Sequence, residues 1–233
     1  MDVGSIEAAE MCKLLDNTYR DTIFAYSNQM ALLTEKLGLN LHDLITKVNL
    51  GYGRNKIPYP SPGVGGPCLS KDPYILERNF AAFGLKSLIT SSARVINEAA
   101  PSHIFQRCNS TLKQIDKDIL SIKIFIIGFA FKGNPVTSDL RGSTTIWLLD
   151  YFRDKGLKNI YGYDPVVKPN DLNFENLQVC TLEEGFREAD LVIFMNNHAS
   201  YSNLNINTLL GTMNAPAVLY DGWNIFQQNE IEN

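Results

Sequence analysis

Apolar residues near the start of the chain recur at three- and four-residue steps, the spacing of one face of an α-helix. Ser5 is predicted to cap a helix that runs to Lys36, and Gly38 is expected to end it. The predicted buried stripe of this helix is Cys12, Leu15, Tyr19, Ile23, Tyr26, Met30 and Leu33. The opposite face carries Glu10, Lys13, Asn17, Arg20 and Asp21. A polar helical face of this kind is most often simply solvated.

The rest of the first half is also predicted to be helical. The segments are helices over 40–48, 73–83 and 87–115, with a loop rich in Gly, Pro and Tyr over 49–62. Pro101 falls inside the last pattern and should kink or divide it, because proline has no amide hydrogen to donate. Residues 116–118 are the best candidate for a domain boundary.

The periodicity changes beyond that boundary. Short runs of β-branched and aromatic residues predict strands over 122–127, 159–164, 191–195 and 217–221. Ser143 is expected to cap one intervening helix, and Thr181–Glu184 reads as a capping box for another. Strands that alternate with helices imply a parallel, doubly wound sheet. The expected fold class is α/β, with an all-helical domain over 1–115 and a Rossmann-like domain over 116–233.

Composition and charge narrow the class of protein. The chain has 233 residues, 45% of them hydrophobic, with a net charge of −4. We expect no nucleic-acid or anionic-membrane partner, because both require dense Lys and Arg clusters. No apolar run reaches the ~20 residues that span a bilayer, and no signal pattern opens the chain, so we expect a cytoplasmic protein. The cysteines form no Cys-x-x-Cys pair, so neither a metal site nor a disulfide framework is expected.

The segment 61–72 has the strongest chemical signature in the chain. Three glycines precede Cys68, and they are Gly63, Gly65 and Gly66. Glycine allows tight turns and close approach of a ligand, while Asp72 followed by Pro73 is typical of an N-cap and first helical residue. Cys68 would then lie at a helix start beside Lys71. Both the helix dipole and the ammonium group favour the nucleophilic thiolate.

Three sequence blocks resemble the nucleotide-sugar 6-dehydrogenases, the UDP-glucose and UDP-N-acetylhexosamine dehydrogenase family. They are Gly-Val-Gly-Gly-x-Cys-Leu-x-Lys-Asp at 63–72, Glu-Ala-Ala-Glu-x-x-Lys-x-x-x-Asn-Thr-Tyr-Arg-Asp at 7–21, and Gly-Phe-Ala-Phe-Lys…Asp-Leu-Arg at 128–141. The resemblance covers nearly the whole chain from 7 to 223. The family also has an amino-terminal dinucleotide-binding domain ahead of the cysteine motif, and nothing in this chain is expected to correspond to it.

The resemblance implies an NAD-dependent oxidation of a sugar C6 alcohol to a uronate, for polysaccharide precursor synthesis. A first hydride transfer yields an aldehyde, which Cys68 captures as a thiohemiacetal. A second hydride transfer yields a thioester, which water hydrolyses. Lys13 and Asn17 are carried over as groups that stabilise oxyanions, and Asp72 as a group that orients or activates water. Asp72 could serve as an N-cap as well.

The resemblance also implies substrate contacts and partners. Phe131 and Lys132 are carried over as contacts to the nucleotide of a UDP-sugar, and Gly65 as part of the substrate-binding glycine loop. Arg54 is either a surface residue or one that reaches the sugar of a neighbouring subunit. Relatives use a long helix near the domain boundary in a dimer interface, so a homodimer through the helical domain is expected. NAD is expected to be bound mainly by the domain that this chain lacks.

Gly128–Gly133 leaves alternatives open. It imitates a Gly-x-Gly-x-x-Gly dinucleotide fingerprint, and Asp164 follows the second strand as a ribose-binding acid would. Ala130 replaces the second glycine, and its β-carbon hinders the close approach of a pyrophosphate to the backbone. We therefore rank UDP above NAD here, with a purely structural turn as a third option. Arg141 could pair with a phosphate or with Asp139.

Two functional hypotheses remain, and they belong to different classes. The chain is either the catalytic and UDP-sugar-binding part of such a dehydrogenase or a UDP-sugar-binding and dimerisation module without turnover. The segments Asn-Thr-Tyr-Arg-Asp and Pro-Gly-Val-Gly-Gly look more like the N-acetylhexosamine branch of the family. Trp223 stands where some relatives place an arginine that reaches the cofactor, which puts that contact in doubt.

Overall fold

The computed structural model describes residues 3–54, 56–227 and 231. The chain divides into two compact units, Met1–Ala100 and Pro101–Asn233. The division falls at the start of a helix that the sequence assigned to the first domain.

Unit 1 is helical, and its first three helices lie within one residue of their predicted bounds, whereas the predicted helix over 87–115 is divided. The helices of this unit are α1 (Ile6–Lys36), α2 (Leu41–Asn49), α3 (Asp72–Ala82) and α4 (Leu88–Glu98). Ser5 Oγ accepts a hydrogen bond from the amide of Ala8 at the start of α1. Gly38 follows the end of that helix with φ +65°, a left-handed conformation that favours glycine. The predicted caps of α1 and its stop are confirmed.

The buried face of α1 is the polar one, so the predicted apolar stripe is wrong. Leu15, Tyr19, Tyr26 and Leu33 are between 52% and 66% exposed. The buried residues are Leu14, Asn17, Thr18, Asp21, Ala25 and Ser27, which lie where α1 packs on α3 and α4. Periodicity identifies residues that share a face but not the surface that covers them. Here the covering helices supply polar partners, which make burial of a polar face favourable.

Unit 2 is a five-stranded parallel sheet with helices around it. Its elements are α5 (Ala100–Gln114), β1 (Ile124–Ile127), α6 (Thr144–Asp154), β2 (Ile160–Tyr163), β3 (Leu177–Val179), α7 (Leu182–Phe186), β4 (Leu191–Phe194), α8 (Ile206–Leu210) and β5 (Val218–Asp221). The strand order is β3-β2-β1-β4-β5. All pairs are parallel, with Ile124 in register with both Ile160 and Leu191. The predicted α/β class with a Rossmann-like sheet is confirmed.

Apolar clusters cover both faces of this sheet, which explains why its central strands are continuous apolar runs. Ile124 and Ile126 face one cluster and Phe125 and Ile127 face the other. The predicted division near Pro101 is confirmed: α4 and α5 are separated at Ala99, and Pro101 lies in the first turn of α5. The sequence missed β3, because it is a three-residue edge strand with two exposed positions and carries little periodic signal.

Across 3–54, 56–227 and 231, no helix combines the length and apolarity needed to cross a bilayer. The same part of the chain brings together no group of three or more His, Cys, Asp or Glu side chains with the geometry to hold a metal ion.

Candidate active site

Cys68 lies in a tight turn that leads into α3. Gly63 and Gly66 have φ values of +99° and +93°, which favour glycine over any residue with a β-carbon. The turn closes where the amide of Ser70 donates to the carbonyl of Gly66 (3.2 Å) and the amide of Asp72 donates to that of Cys68 (2.9 Å). The glycines therefore shape a turn in which Cys68 is half-buried immediately before a helix.

Asp72 is the centre of a polar cluster. Its carboxylate accepts hydrogen bonds from Asn17 Nδ2 (2.6 Å) and Lys71 Nζ (2.7 Å). Lys13 Nζ lies 3.6 Å from Asp72 Oδ2. The predicted N-cap role of Asp72 is wrong, because Lys71 is the cap residue and Asp72 is the first helical residue. The structure thus brings Lys13 and Asn17 of α1 to Asp72, which is four residues after Cys68 in the sequence.

The electrostatics of this cluster favour a charged Asp72. Burial of Asp72, whose side chain is 1% exposed, opposes ionisation. Hydrogen bonds from Lys71 and Asn17, and the positive charges of Lys71 and Lys13, outweigh burial and lower the pKa of Asp72. The hydrogen bond and charge of Asp72 raise the pKa of Lys71. Two cations therefore flank the approach to one buried carboxylate.

The other predicted residues of unit 1 lie near the turn or on the loop before it. Gly65 is half-buried within the glycine run, three residues before Cys68. Arg54 is exposed on the loop that follows α2, so its predicted reach to a neighbouring subunit stays a prediction.

The Gly128–Gly133 turn follows β1 in unit 2, and side-chain hydroxyl groups hold it through hydrogen bonds to its carbonyl oxygens. Thr145 Oγ1 donates to the carbonyl of Gly128 (2.7 Å), and Ser143 Oγ donates to that of Phe129 (2.7 Å). A β-carbon on Gly133 would lie 2.1 Å from the amide nitrogen of His198, which is backbone and cannot move aside cheaply. Glycine is required here for packing against the segment after β4.

Asp164 follows β2 and holds this turn. Its Oδ2 accepts from the amides of Phe129 (2.6 Å) and Ala130 (3.0 Å). Its Oδ1 accepts from the amides of Val166 (2.8 Å) and Val167 (2.9 Å). These are the kinds of group that would bind a pyrophosphate and a ribose in a dinucleotide site. Because they are already paired, the turn and Asp164 do not fit NAD.

Phe131 and Lys132 are half-buried at the end of this turn. Lys132 Nζ lies 5.2 Å from the centre of the Phe131 ring. Arg141 binds Asp139 through a fork in which Nη2 lies 2.7 Å from Oδ2. An aromatic face and an ammonium group therefore adjoin at the carboxyl end of β1, where ligands of open α/β sheets bind.

Two polar residues of these regions were not among the predicted site residues. Lys71 binds Asp72 directly, and its place beside the Cys68 motif was the signal. Asn196 is 2% exposed after β4, and its Oδ1 has no hydrogen-bond partner in the part of the chain that the structure describes. A β-carbon on Gly128 would lie 2.6 Å from this side chain. The position of Asn196 at the carboxyl end of a buried strand is the sequence signal that could have identified it as a site residue.

Sequence comparison identifies two domains of one family. Residues 7–99 match the central domain of the UDP-glucose/GDP-mannose dehydrogenase family, and residues 125–228 match the UDP binding domain of that family. The chain belongs to the UDP-glucose/GDP-mannose dehydrogenase family. The suspected resemblance of the three sequence blocks is confirmed.

The relatives and neighbours carry more specific names. A UDP-N-acetyl-D-mannosamine dehydrogenase from Pyrococcus horikoshii is 32% identical over 96% of this chain and 50% of its own length. An NDP-N-acetyl-D-galactosaminuronic acid dehydrogenase from Ralstonia solanacearum is 27% identical over 89% of this chain and 47% of its own length. The chain thus spans about half the length of these curated relatives.

Solved structures share the fold. The NDP-N-acetyl-D-galactosaminuronic acid dehydrogenase from Methanosarcina mazei Go1 superposes with a TM-score of 0.83 and 29% identity, over 97% of this chain and 49% of that one. The UDP-D-ManNAc dehydrogenase from Pyrococcus horikoshii gives a TM-score of 0.80 and 29% identity, over 94% and 48%. This chain is similar in fold and sequence to both of these proteins.

Proposed function

We propose that this chain carries the catalytic cysteine and the UDP-sugar-binding surface of an NAD-dependent nucleotide-sugar 6-dehydrogenase. The observation that carries the proposal is the convergence of Lys13, Asn17 and Asp72 beside the turn that holds Cys68. These residue types are those needed to capture an aldehyde covalently and to stabilise the oxyanion that forms. The product is a uronic acid for polysaccharide precursor synthesis.

Cys68 is the nucleophile of the proposed reaction. Its thiolate adds to the C6 aldehyde of the sugar and forms a thiohemiacetal, and the acid is later released from a thioester by water. Lys13 Nζ and the second Nδ2 hydrogen of Asn17 stabilise the oxyanions that form in the capture and hydrolysis steps. Asp72 holds both groups in place and orients the attacking water, since its lowered pKa keeps it an acceptor.

NAD would supply the oxidising power by accepting a hydride in each of the two oxidations. The Gly128–Gly133 turn is a poor site for it, because the amides of Phe129 and Ala130 are taken by the carboxylate of Asp164. We therefore assign no NAD contact to this turn.

The Gly128–Gly133 turn is instead assigned to the UDP part of the substrate. Lys132 pairs with the diphosphate, and Phe131 offers an apolar face beside it. The sugar is assigned to the N-acetylhexosamine class, since relatives with that class in their names match 83–96% of the chain.

Calorimetric titration with UDP and, separately, with NAD tests the nucleotide assignment. We expect UDP to bind, NAD not to bind, and Lys132→Ala to weaken UDP binding about tenfold. Lys158→Ala is the matched control, because Lys158 is exposed just before β2, at the amino end of the parallel strands and not at the carboxyl end where Lys132 lies. NAD binding without UDP binding would overturn the assignment.

Alkylation with iodoacetamide, resolved by peptide mass spectrometry, tests the role of Cys68. Cys12 lies exposed on α1 and serves as an internal reference, whereas Cys68 is half-buried. An activated Cys68 should react faster than Cys12 in spite of its burial. If Cys68 reacts more slowly than Cys12, the binding and dimerisation module becomes the better description of the chain.

A homodimer through the helical unit is part of the proposal. The exposed apolar stripe of α1, which includes Leu15, Tyr19, Tyr26 and Leu33, is the kind of surface that a second copy covers. Light scattering after size exclusion should give twice the chain mass for the wild type. Leu15→Glu combined with Tyr19→Glu should give one chain mass, and Arg20→Glu on the neighbouring exposed surface should not.

A further inference from the structure

The loop ahead of Cys68 is fastened by side chains at several main-chain atoms. Three hydrogen bonds join side chains of α1 and α4 to main-chain atoms of the segment 58–64: Ser27 Oγ donates to the carbonyl of Pro58 (2.7 Å), the amide of Ser61 donates to Asn28 Oδ1 (2.9 Å), and Arg94 Nη1 donates to the carbonyl of Val64 (3.3 Å). Loop backbone bound at this many points loses much of its conformational freedom. The polar faces of α1 and α4 thus determine the path of this loop.

Arg94 makes the deepest of these contacts. It is 1% exposed, a rare environment for a guanidinium group. Its Nη1 also donates to Asp21 Oδ1 (2.7 Å), and its Nη2 and Nε donate to Glu98 Oε1 (3.1 and 3.3 Å). The planar fork of arginine can serve these three residues at once, which a lysine ammonium cannot do in the same geometry.

A second branch runs from Asp21 to the same loop. Asn97 Nδ2 donates to Asp21 Oδ1 (2.9 Å), and Asn97 Oδ1 accepts from Asn28 Nδ2 (3.0 Å). Asn28 in turn accepts from the amide of Ser61. Asp21 is therefore linked to the loop at Val64 through Arg94 and at Ser61 through two asparagines.

The spacing on α1 connects this network to the proposed nucleophile. Asn17 and Asp21 lie one helical turn apart on the buried face of α1. Asn17 binds Asp72, and Asp21 reaches Val64 through Arg94. Cys68 is four residues after Val64 and four before Asp72. One face of α1 therefore holds both ends of the segment that carries Cys68.

We propose that Arg94 and Asp21 are positioning residues that fix the Cys68 turn relative to Lys13, Asn17 and Asp72. Stability alone does not account for the pair, because replacing a buried ion pair by apolar residues of similar volume is often neutral. A fixed loop path is what this pair supplies and an apolar pair would not. The inference deepens the proposed function and rests on it for its catalytic meaning.

The test compares the alkylation rate of Cys68 and the hydrogen exchange around it in the full chain and in three variants of it. Asp21→Leu combined with Arg94→Met removes both charges, Arg94→Lys keeps the charge without the fork, and Arg78→Met changes an exposed arginine of α3 as the matched control. Site-resolved iodoacetamide alkylation and hydrogen exchange of the peptide 58–72 are the measurements. Far-UV circular dichroism reports whether each variant is folded.

We expect the double variant to raise the Cys68 alkylation rate about threefold or more, since release of the turn exposes a half-buried thiol. Amides of 61–71 should exchange faster, whereas the Cys12 rate should stay within about twofold. Arg94→Lys should give an intermediate rate and Arg78→Met the wild-type rate.

An unchanged Cys68 rate in a folded double variant would overturn the inference. If that variant does not fold, an unchanged rate in Arg94→Lys would overturn it instead. The wild-type ratio of the Cys68 and Cys12 rates tests the proposed nucleophile separately, because the inference concerns only the change between variants.

Discussion

Each unit has a buried carboxylate that adjoins a glycine-containing turn, and the two units neutralise it in different ways. In unit 1, Asp72 is 1% exposed and is met by side chains, of which Lys13 and Lys71 carry positive charge. In unit 2, Asp164 is 8% exposed and is met by four main-chain amides. The first arrangement is built from ionisable groups and the second from peptide dipoles.

This difference separates the expected roles of the two loops. Charged side chains that remain half-exposed, such as Lys13 and Lys71, can exchange one partner for a reacting group. Main-chain amides fully paired with Asp164 are fixed and leave ligand contacts to residues farther along the turn, such as Lys132. The first loop is therefore suited to chemistry and the second to rigid presentation of a binding surface.

The largest expected effect comes from removing the carboxylate in unit 2. Asp164→Ala leaves four main-chain amides, three of them buried, without their acceptor, and a buried amide costs about 1–3 kcal/mol when unsatisfied. We expect unit 2 to lose about 3 kcal/mol or more of its free energy of unfolding. Fluorescence during urea unfolding measures it, because both tryptophans, Trp147 and Trp223, lie in this unit.

Asp171→Ala is the control for that measurement, because Asp171 is an exposed acid of the same unit. A loss below about 1 kcal/mol in Asp164→Ala, comparable to the control, would show that the amides find water or other acceptors. The turn would then not be rigid, and the contrast between the two units would fail.

A smaller loss of stability, which depends on pH, is expected when the carboxylate of unit 1 is removed. Asp72→Asn removes the negative charge that accepts from Asn17 and Lys71 and attracts Lys13, and it should cost about 2 kcal/mol at neutral pH. Because the pKa of Asp72 is lowered in the folded state, its stabilisation is present above the unfolded value and is lost as the pH falls through the folded value. The gap between wild type and variant should therefore narrow below about pH 4.

Urea unfolding followed by far-UV circular dichroism measures this gap at pH 7 and at about pH 3. Tryptophan fluorescence from the same samples reports unit 2, which the variant should leave unchanged. Asp16→Asn provides the matched control, because Asp16 is exposed on α1. A gap that stays constant with pH would mean that Asp72 is not held as an ion by its neighbours.

The sequence predicted helix caps and buried strands well, but it did not predict which face of α1 is buried. Local signals were sufficient for the caps at Ser5 and Thr181 and for the apolar central strands. The buried polar face of α1 was missed, because its partners Arg94 and Asn97 are more than 70 residues away in sequence. A polar side chain cannot be recognised as buried until the element that covers it is known.

The capping box of α7 is a side-chain contribution to the stability of unit 2, and it is expected to be smaller than that of Asp164. Thr181 Oγ1 accepts from the amide of Glu184, and the Glu184 carboxylate accepts from the amide of Thr181. Thr181→Ala should lower the stability of unit 2 by about 1 kcal/mol, measured by tryptophan fluorescence. Thr208→Ala, at an exposed position of α8, should have little effect. Equal losses in the two variants would contradict a specific role of the cap.

The smallest expected effect distinguishes the two roles that the sequence left open for Arg141. Its guanidinium binds Asp139 through Nε and Nη2, with the Arg141 side chain 76% exposed. Exposed ion pairs contribute little, so Arg141→Ala should change the stability of unit 2 by less than about 0.5 kcal/mol. Because the fork of Arg141 is already directed at a carboxylate, UDP affinity should change by less than about threefold.

Titration of Arg141→Ala with UDP beside Lys132→Ala decides between these roles. If Arg141→Ala weakens UDP binding as much as Lys132→Ala does, Arg141 must leave Asp139 to bind a phosphate. The binding surface of unit 2 would then include an exchangeable cation, as the cluster of unit 1 does at Lys13. Affinity that depends on Lys132 alone would instead keep ligand binding on the residues directly attached to the turn that Asp164 holds.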